Sequence, residues 1–295
     1  MAPVHPASNW RLRTRSFDLP RPGGAVRRPF VMGIVNVTPD SFSDGGRHDD
    51  AGAAVAHGLA LVAQGADILD VGGESTRPYS APVDAAEEWR RVGAVVRRLA
   101  REAGVPVSID TSKASVAARA LEVGAEIIND VTGLEGDPDM VRVAVESGAG
   151  VCAMHMQGTP RTMQVEPRYG DVVAEIHAYL AGRRDTLLAA GIPFDRICLD
   201  PGIGFGKTHE HNVELMRRAA AFLDLGAPIL VGHSRKGFLA KALRDSLGRE
   251  PTECERDAAT AGAACHLAAA GIQVVRVHAV GTVRAAIDAF LASRG

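Results

Sequence analysis

The chain has 295 residues, 46% hydrophobic, 23% charged and only 4% aromatic, with 33 basic against 35 acidic side chains and a formal charge of -2. That much apolar content at so low a net charge excludes a collagen-like or disordered chain, and the apolar runs fall short of the ~18 residues that span a bilayer. Balanced charge and scarce aromatics also argue against a nucleic-acid surface, so the expected partners are small molecules, with no nucleic acid and no membrane.

The start, MAPVHPASNWRLRTRSF, is arginine-rich but lacks an apolar core, so it does not read as a secretory signal. Residues 15–26, RSFDLPRPGGAV, read as a β-ribbon with a Pro-Gly-Gly turn that could plug the base of the domain behind it. Residues 1–27 are therefore set apart as an N-terminal extension and ribbon, with no assigned role. From there eight short β-branched runs follow: 31–37, 67–73, 106–111, 127–131, 150–156, 197–202, 228–234 and 274–278. Their hydrophobicity is continuous rather than alternating, which means both faces are covered, as in a parallel sheet with helical crossovers. Alanine-rich stretches between them, such as 51–65, 85–104, 171–191 and 256–271, have helical character and stop at glycines suited to a C′ position. Eight βα units predict a single-domain α/β fold, a (β/α)8 TIM barrel over 28–295, with an open doubly wound sheet as the alternative.

Four cysteines (Cys152, Cys198, Cys254, Cys265) show no CxxC pairing, and two sit in strand runs. They read as buried thiols in a reducing, cytoplasmic compartment.

In such a barrel, chemistry gathers where the strands run out into the βα loops. There the sequence places Asn36; Glu74 with Thr76 and Arg77; Asp110; Asn129 with Asp130; His155 with Gln157; Asp200; His233 with Ser234 and Lys236; and Arg276 with His278. Any one of these could simply cap the next helix. Together they converge on one cleft. Lysine occurs only at 113, 207, 236 and 241, and three of these lie in strand-end segments, where a compact ammonium is favoured over arginine. Asp110, Asp200 and Asn129 suit a flat heterocycle with several N–H donors, although a buried pair satisfied by backbone is the other reading of the two acids. Lys236 could donate to the ring, and Arg276 could stack on its face or pair with an anion.

The loops TPDSFSDGG and GGESTRP are glycine-bearing and hydroxyl-rich, and could cover a phosphate-bearing ligand with Arg77 as a bidentate partner. Asn36 is a neutral oxygen ligand that could help hold Mg²⁺ only if diphosphate and waters filled most of the shell. PGIGFGKT lacks the spacing of a nucleotide-binding P-loop. His209 and His211 read as a solvated loop, the arginines 90, 91, 97, 98 and 101 as the outer face of a helix, and Ser234 as a hydroxyl without an identifiable base.

The strings MGIVNVTPDSFSDGG, GADILDVGGESTRP, SIDTSK, IINDVTG, MHMQGTP, LDPGIGFGKTHEHN, VGHSRKGF and RVH, in this order, resemble the dihydropteroate synthase family of pterin-binding barrels. The likeness runs from about residue 28 to 293. It implies a transferase of the folate pathway that joins 6-hydroxymethyl-7,8-dihydropterin diphosphate to 4-aminobenzoate, with Mg²⁺, commonly as a homodimer through barrel helices. It further implies that Asp110, Asn129, Asp200 and Lys236 hold the pterin, with Arg276 stacked over it and Met154 in contact. Asn36 would reach Mg²⁺ and, with Thr76, Arg77, Arg276 and His278, face the diphosphate. Thr76, Pro78, Phe205 and Ser234 would line the aminobenzoate pocket, which sulfonamides occupy in this family. The catalytic set it implies is Asp110, Lys236, Arg276, His278 and Arg77. One departure is visible: the family pattern RVHDV is here Arg276-Val277-His278-Ala279-Val280, and the missing acid would serve the start of the following helix or orient its neighbours Arg276 and His278. A non-catalytic pterin-binding paralogue and a methyltetrahydrofolate-corrinoid methyltransferase are the alternatives.

Overall fold

The structure, a computed structural model, describes residues 7–19, 27–38, 47–75 and 80–294. Two short strands, β1 (Asn9–Arg11) and β2 (Ser16–Asp18), precede β3 (Phe30–Asn36), α1 (Arg47–Ala63), β4 (Ile68–Gly72), α2 (Ala85–Glu102), β5 (Val107–Asp110), α3 (Ala114–Glu122), β6 (Ile127–Asp130) and α4 (Met140–Ser147). Then come β7 (Gly150–Met154), α5 (Val172–Ala189), β8 (Ile197–Asp200), α6 (His209–Arg217), β9 (Leu230–Val231), α7 (Gly237–Leu247), α8 (Glu253–Ala269), β10 (Val274–Val277) and α9 (Val280–Ala292).

Strands β3 to β10 form one parallel sheet in the order β8-β7-β6-β5-β4-β3-β10-β9. Its ends meet, because Leu199 N donates to Pro228 O at 2.9 Å and Leu199 bridges Ile229 in parallel. The sheet is a closed (β/α)8 barrel, and the open alternative is excluded. Alternation of side chains explains the unbroken apolar runs. Val31, Val35, Leu69, Val71, Ile109, Ile128 and Val151 face outward into the helix layer, while Met32, Ile68, Ile127, Cys152, Cys198, Leu230 and Val274 point into the barrel. Each such side chain, fully buried, contributes about 1.5–3 kcal/mol of transfer free energy.

The helices are cut where the sequence marks them. In α2 the Asp84 carboxylate caps Glu87 N at 2.8 Å, Val92, Val95, Val96 and Leu99 face the sheet, and Arg90 and Arg98 pair outward with Glu87 and Glu102. Gly65, Gly104, Gly191 and Gly271 follow α1, α2, α5 and α8 with φ of 99°, 72°, 99° and 86°, a region that side-chain-bearing residues rarely adopt. Among the described residues no helix is long and apolar enough to cross a membrane.

The N-terminal ribbon exists, but its register differs from the expectation. β1 pairs antiparallel with β2 as Asn9↔Asp18, Trp10↔Phe17 and Arg11↔Ser16, so the turn lies at 12–15, closed by Leu12 N to Arg15 O at 2.8 Å. Trp10 and Leu12, two apart in β-like alternation, carry the signal for this hairpin, while the Pro-Gly-Gly turn expected from sequence lies outside the described residues. The two side chains share one cluster with Leu19, Met32, Ile68, Ile127 and Val274 and so floor the barrel. Polar bonds fix the ribbon there: Trp10 Nε1 donates to Arg196 O at 3.3 Å, Arg11 pairs with Asp195 at 2.9 Å, and Arg15 with Glu126 at 3.0 Å. The described part of the extension, residues 7–19, therefore closes the base of the core, the place the sequence suggested for the ribbon. Trp10→Ala is expected to destabilise the fold by about 3–5 kcal/mol, read as a lower thermal midpoint, because the indole is fully buried in the floor cluster and its loss leaves a cavity there. A midpoint unchanged within a degree would mean that the barrel is closed without it.

Candidate active site

The mouth of the barrel is built by the same two-residue period that builds its floor. One step beyond Ile68, Cys152, Cys198 and Val274 along the inward face stand Asp70, Met154, Asp200 and Arg276, and the parallel register sets Asp110 beside both Gly72 and Asn129. The ring thus changes from apolar to polar within one residue pair, at the end where the strands feed the βα loops.

Arg276 is the centre of this ring. Its Nε donates to Asp70 Oδ2 at 2.5 Å and its Nη2 to Asp110 Oδ2 at 2.7 Å. Asn129 Nδ2 donates to the same Asp70 oxygen at 3.0 Å. Burial raises the Asp110 carboxyl to about 7, against the pull of the Arg276 charge, and Asp70, Glu88 and Asp130 push it the same way as burial. Arg276 stays cationic between two acids.

Opposite lies a second group. Asp200 Oδ1 accepts from Gly202 N at 2.7 Å, and burial raises its carboxyl above the usual range. Lys236, at the N-cap of α7, donates Nζ to Ile203 O and lies 4.6 Å from the Phe205 ring centroid. Burial lowers Lys236 to about 8, although Asp200 and Asp110 favour its charge. Two glycines of PGIGFG allow close packing here. A Cβ on Gly202 (φ +69°) would meet His155 O at 1.9 Å, and one on Gly204 (φ +85°) would press on Lys236 Cδ at 2.9 Å.

At the last strand Ser234 Oγ lies 2.9 Å from His278 Nδ1 and accepts from His278 N at 3.2 Å. The closed ring brings β9 and β10 together and sets His278 beside Ser234, a neighbour that distance in sequence concealed. Asn36 ends β3 at the rim, half-buried, with no side-chain hydrogen bond among the described residues. Met154 is buried at the rim beside Asp200. Thr76, Arg77 and Pro78 lie outside the described residues, as does most of the first loop.

Several strand-end groups face elsewhere. Asp130 points outward and ties the next turn through Thr132 N at 2.8 Å and Leu134 N at 3.2 Å. His233 is fully buried, with Nε2 3.0 Å from Thr260 O. His155 packs edge-on to Tyr179 and lies 3.1 Å from Lys207 Nζ, and burial with that cation lowers it to about 3. Glu74 and Glu88 clamp Lys113 at 2.5 and 2.6 Å. His209 and His211 are not loop residues: Thr208 caps α6, accepting from His211 N, and His211 Nδ1 accepts in return from Thr208 N, a capping box that the spacing alone did not reveal. Ala279 occupies the N-cap of α9 and makes no side-chain cap, so the acid missing from the family pattern is indeed at a helix start. A cavity of about 750 Å³ opens between Tyr169, His211, Arg218 and Lys241, and none of the mouth's acids line it.

Sequence reasoning missed Asp70. Its signal was present: an acid in the middle of an apolar strand, two residues from Ile68 and therefore inward.

The family described as pterin binding enzyme matches residues 32–278. This chain belongs to that family. It is 44% identical over 255 residues to a dihydropteroate synthase of Escherichia coli strain K12, covering 86% of this chain and 88% of the relative, and 45% identical over 260 residues to that of Mycobacterium leprae, covering 88% and 90%. Among solved structures it is similar to Xanthomonas albilineans dihydropteroate synthase with 4-aminobenzoic acid, at a TM-score of 0.87 and 40% identity over 98% of this chain and 99% of that one. The Xanthomonas albilineans enzyme in complex with 7,8-dihydropteroate gives a TM-score of 0.80 at 40% identity over 92% and 96%.

Proposed function

We propose that this chain is a dihydropteroate synthase, which joins (7,8-dihydropterin-6-yl)methyl diphosphate to 4-aminobenzoate and gives 7,8-dihydropteroate and diphosphate. The observation that carries the reading is the inward ring of Asp110, Asn129, Asp200 and Lys236 around Arg276, with acceptors at the edges and one planar cation at the centre. In the reaction the arylamine nitrogen forms a bond to the pterin methylene carbon, the bond from that carbon to the diphosphate oxygen breaks with its electrons, and the amine loses a proton.

Arylamines are neutral at pH 7 and already nucleophilic, so no covalent serine or cysteine step and no strong base is required. The hard step is charge separation. In this assignment Asp110, Asn129, Met154, Asp200 and Lys236 hold the pterin, and Asp110 stabilises developing positive charge on the methylene carbon. Arg276 stacks over the ring and, with Arg77, His278, Thr76 and Asn36, faces the departing diphosphate. Thr76, Pro78, Phe205 and Ser234 line the aminobenzoate site, with the Ser234 hydroxyl held by His278.

For Mg²⁺ the donor set fits a shared site. Among the described residues Asn36 offers a carbonyl oxygen without a competing side-chain bond, and no group of three His, Cys, Asp or Glu side chains is gathered for a metal. Asn36 would therefore be one ligand of an ion held mainly by diphosphate and waters, and that ion when bound would neutralise the leaving group. The reading takes 28–295 as one barrel domain with 1–27 as its extension, in a cytoplasmic homodimer.

The test mixes purified protein with pterin diphosphate, 4-aminobenzoate and Mg²⁺ and follows diphosphate and 7,8-dihydropteroate. Equimolar formation of both is expected. Pterin binding without release would instead indicate a non-catalytic paralogue, and methyl transfer from methyltetrahydrofolate to a corrinoid would indicate the methyltransferase.

A further inference from the structure

Asp70 has no part in the roles assigned above, yet it is fully buried on β4 at the level of the ring. Its Oδ2 takes two donors, Arg276 Nε at 2.5 Å and Asn129 Nδ2 at 3.0 Å. Its Oδ1 is equally buried and has no hydrogen-bond partner among the described residues. Both donors belong to side chains placed on the pterin, one at its face and one at its edge.

The chemistry of a carboxylate makes this contact directional. It can only accept, so the Asn129 amide must turn its NH₂ toward Asp70, which leaves its carbonyl oxygen and its second N–H for the cleft. An adjacent donor and acceptor match the amidine edge of a pterin, which carries an N–H beside a ring nitrogen. The guanidinium is constrained in the same way: with Nε on Asp70 and Nη2 on Asp110, two corners of a rigid plane are pinned and its tilt is set.

We infer that Asp70 is a positioning residue for pterin recognition, which fixes the polarity of the Asn129 amide and the plane of Arg276. This inference rests on the pterin reading above. A merely structural ion pair would give a different pattern, because its loss would loosen the fold without distinguishing one substrate from the other.

The test is Asp70→Asn, which keeps the shape and an acceptor for Arg276 but can offer its own NH₂ to Asn129. Binding of 6-hydroxymethylpterin, measured by calorimetry, is expected to weaken about tenfold or more, while the KM for 4-aminobenzoate stays within about threefold. Combined with Asn129→Ala, the losses should be strongly non-additive, since both variants break one linkage. The acid limb of the rate profile should also move to lower pH. Asp110 is faced by Arg276, which lowers its carboxyl, and by Asp70, Glu88 and Asp130, which raise it, so removing the Asp70 charge lets it ionise sooner.

Unchanged pterin affinity, or additive losses, or equal weakening of both substrates with an unmoved acid limb, would overturn the inference. Should Asp70→Asn not fold, Asn129→Asp tests the same linkage from the other side. It should bind the pterin more weakly than Asn129→Ala, because two carboxylates then face each other, and equal binding would overturn the idea. The wild type separates the two readings. If it does not bind the pterin, the proposed function fails; if it binds and Asp70→Asn binds as well, only this inference fails.

Discussion

Asn in place of Asp110 is expected to lower kcat by about 10²- to 10³-fold, the range for removing one preorganised charge from a buried transition state, with much smaller changes in KM. The substitution is isosteric and leaves an acceptor for Arg276 Nη2, now at 2.7 Å from the carboxylate, so the ring should keep its shape. What it removes is the negative charge that faces the methylene carbon as diphosphate leaves. The pH profile gives an independent readout. Asp110 must be ionised, so wild-type kcat/KM should fall as pH drops through about 7, where burial holds that carboxyl. Lys236 must be protonated to donate to the ring, so activity should also fall as pH rises through about 8. Asp110→Asn should lose the acid limb and keep the alkaline one, shifted slightly down because a carboxylate that favours the Lys236 charge has gone. Near-normal turnover with unchanged affinity for both substrates would remove Asp110 from the chemistry.

The strands and most of the mouth were legible because both depend on local pattern. Continuous Val/Ile/Leu runs require two covered faces, and eight of them with helical spacers leave little besides a closed ring. Asp110, Asn129, Asp200 and Arg276 stood out as polar groups at the ends of those runs. What sequence could not supply was parity and closure. Asp130 adjoins Asn129 but faces the other side of β6, where it ties a turn, and His233 adjoins Ser234 but turns to the carbonyl of Thr260 in α8. The pairing of Ser234 with His278 exists only because β9 lies against β10. Asp70 was hidden for the converse reason. It sits one inward step below the strand end, where an acid is invisible to a rule that looks only at termini. The hairpin turn at Leu-Arg-Thr-Arg went unread because it carries no strong local turn signal, and its register is set by burying Trp10 and Leu12 in the floor.

Arg276→Leu is the change with the largest expected cost, and its pH dependence identifies the cause. Turnover should fall below detection, since the ring loses the group that covers the pterin face and meets the diphosphate. Stability should also fall, because Asp70 and Asp110 remain buried with no cation between them, a loss of about 3–5 kcal/mol at alkaline pH. The sign follows from the Asp110 carboxyl, which Arg276 holds down and burial raises to about 7. Without the cation it rises further, so the folded state of the variant takes up a proton that the unfolded chain, with an ordinary carboxyl near 3.9, binds only at lower pH. Relative to the wild type, the penalty is therefore full above the variant's folded value and shrinks as pH falls to about 7, where the wild-type carboxyl takes up its proton too. Thermal midpoints of the two proteins should lie far apart at pH 8.5 and draw together at pH 5.5. A gap that stays constant between those two conditions would assign the loss to packing around the missing guanidinium rather than to two stranded acids, and would weaken the case for Arg276 as the electrostatic centre of the site.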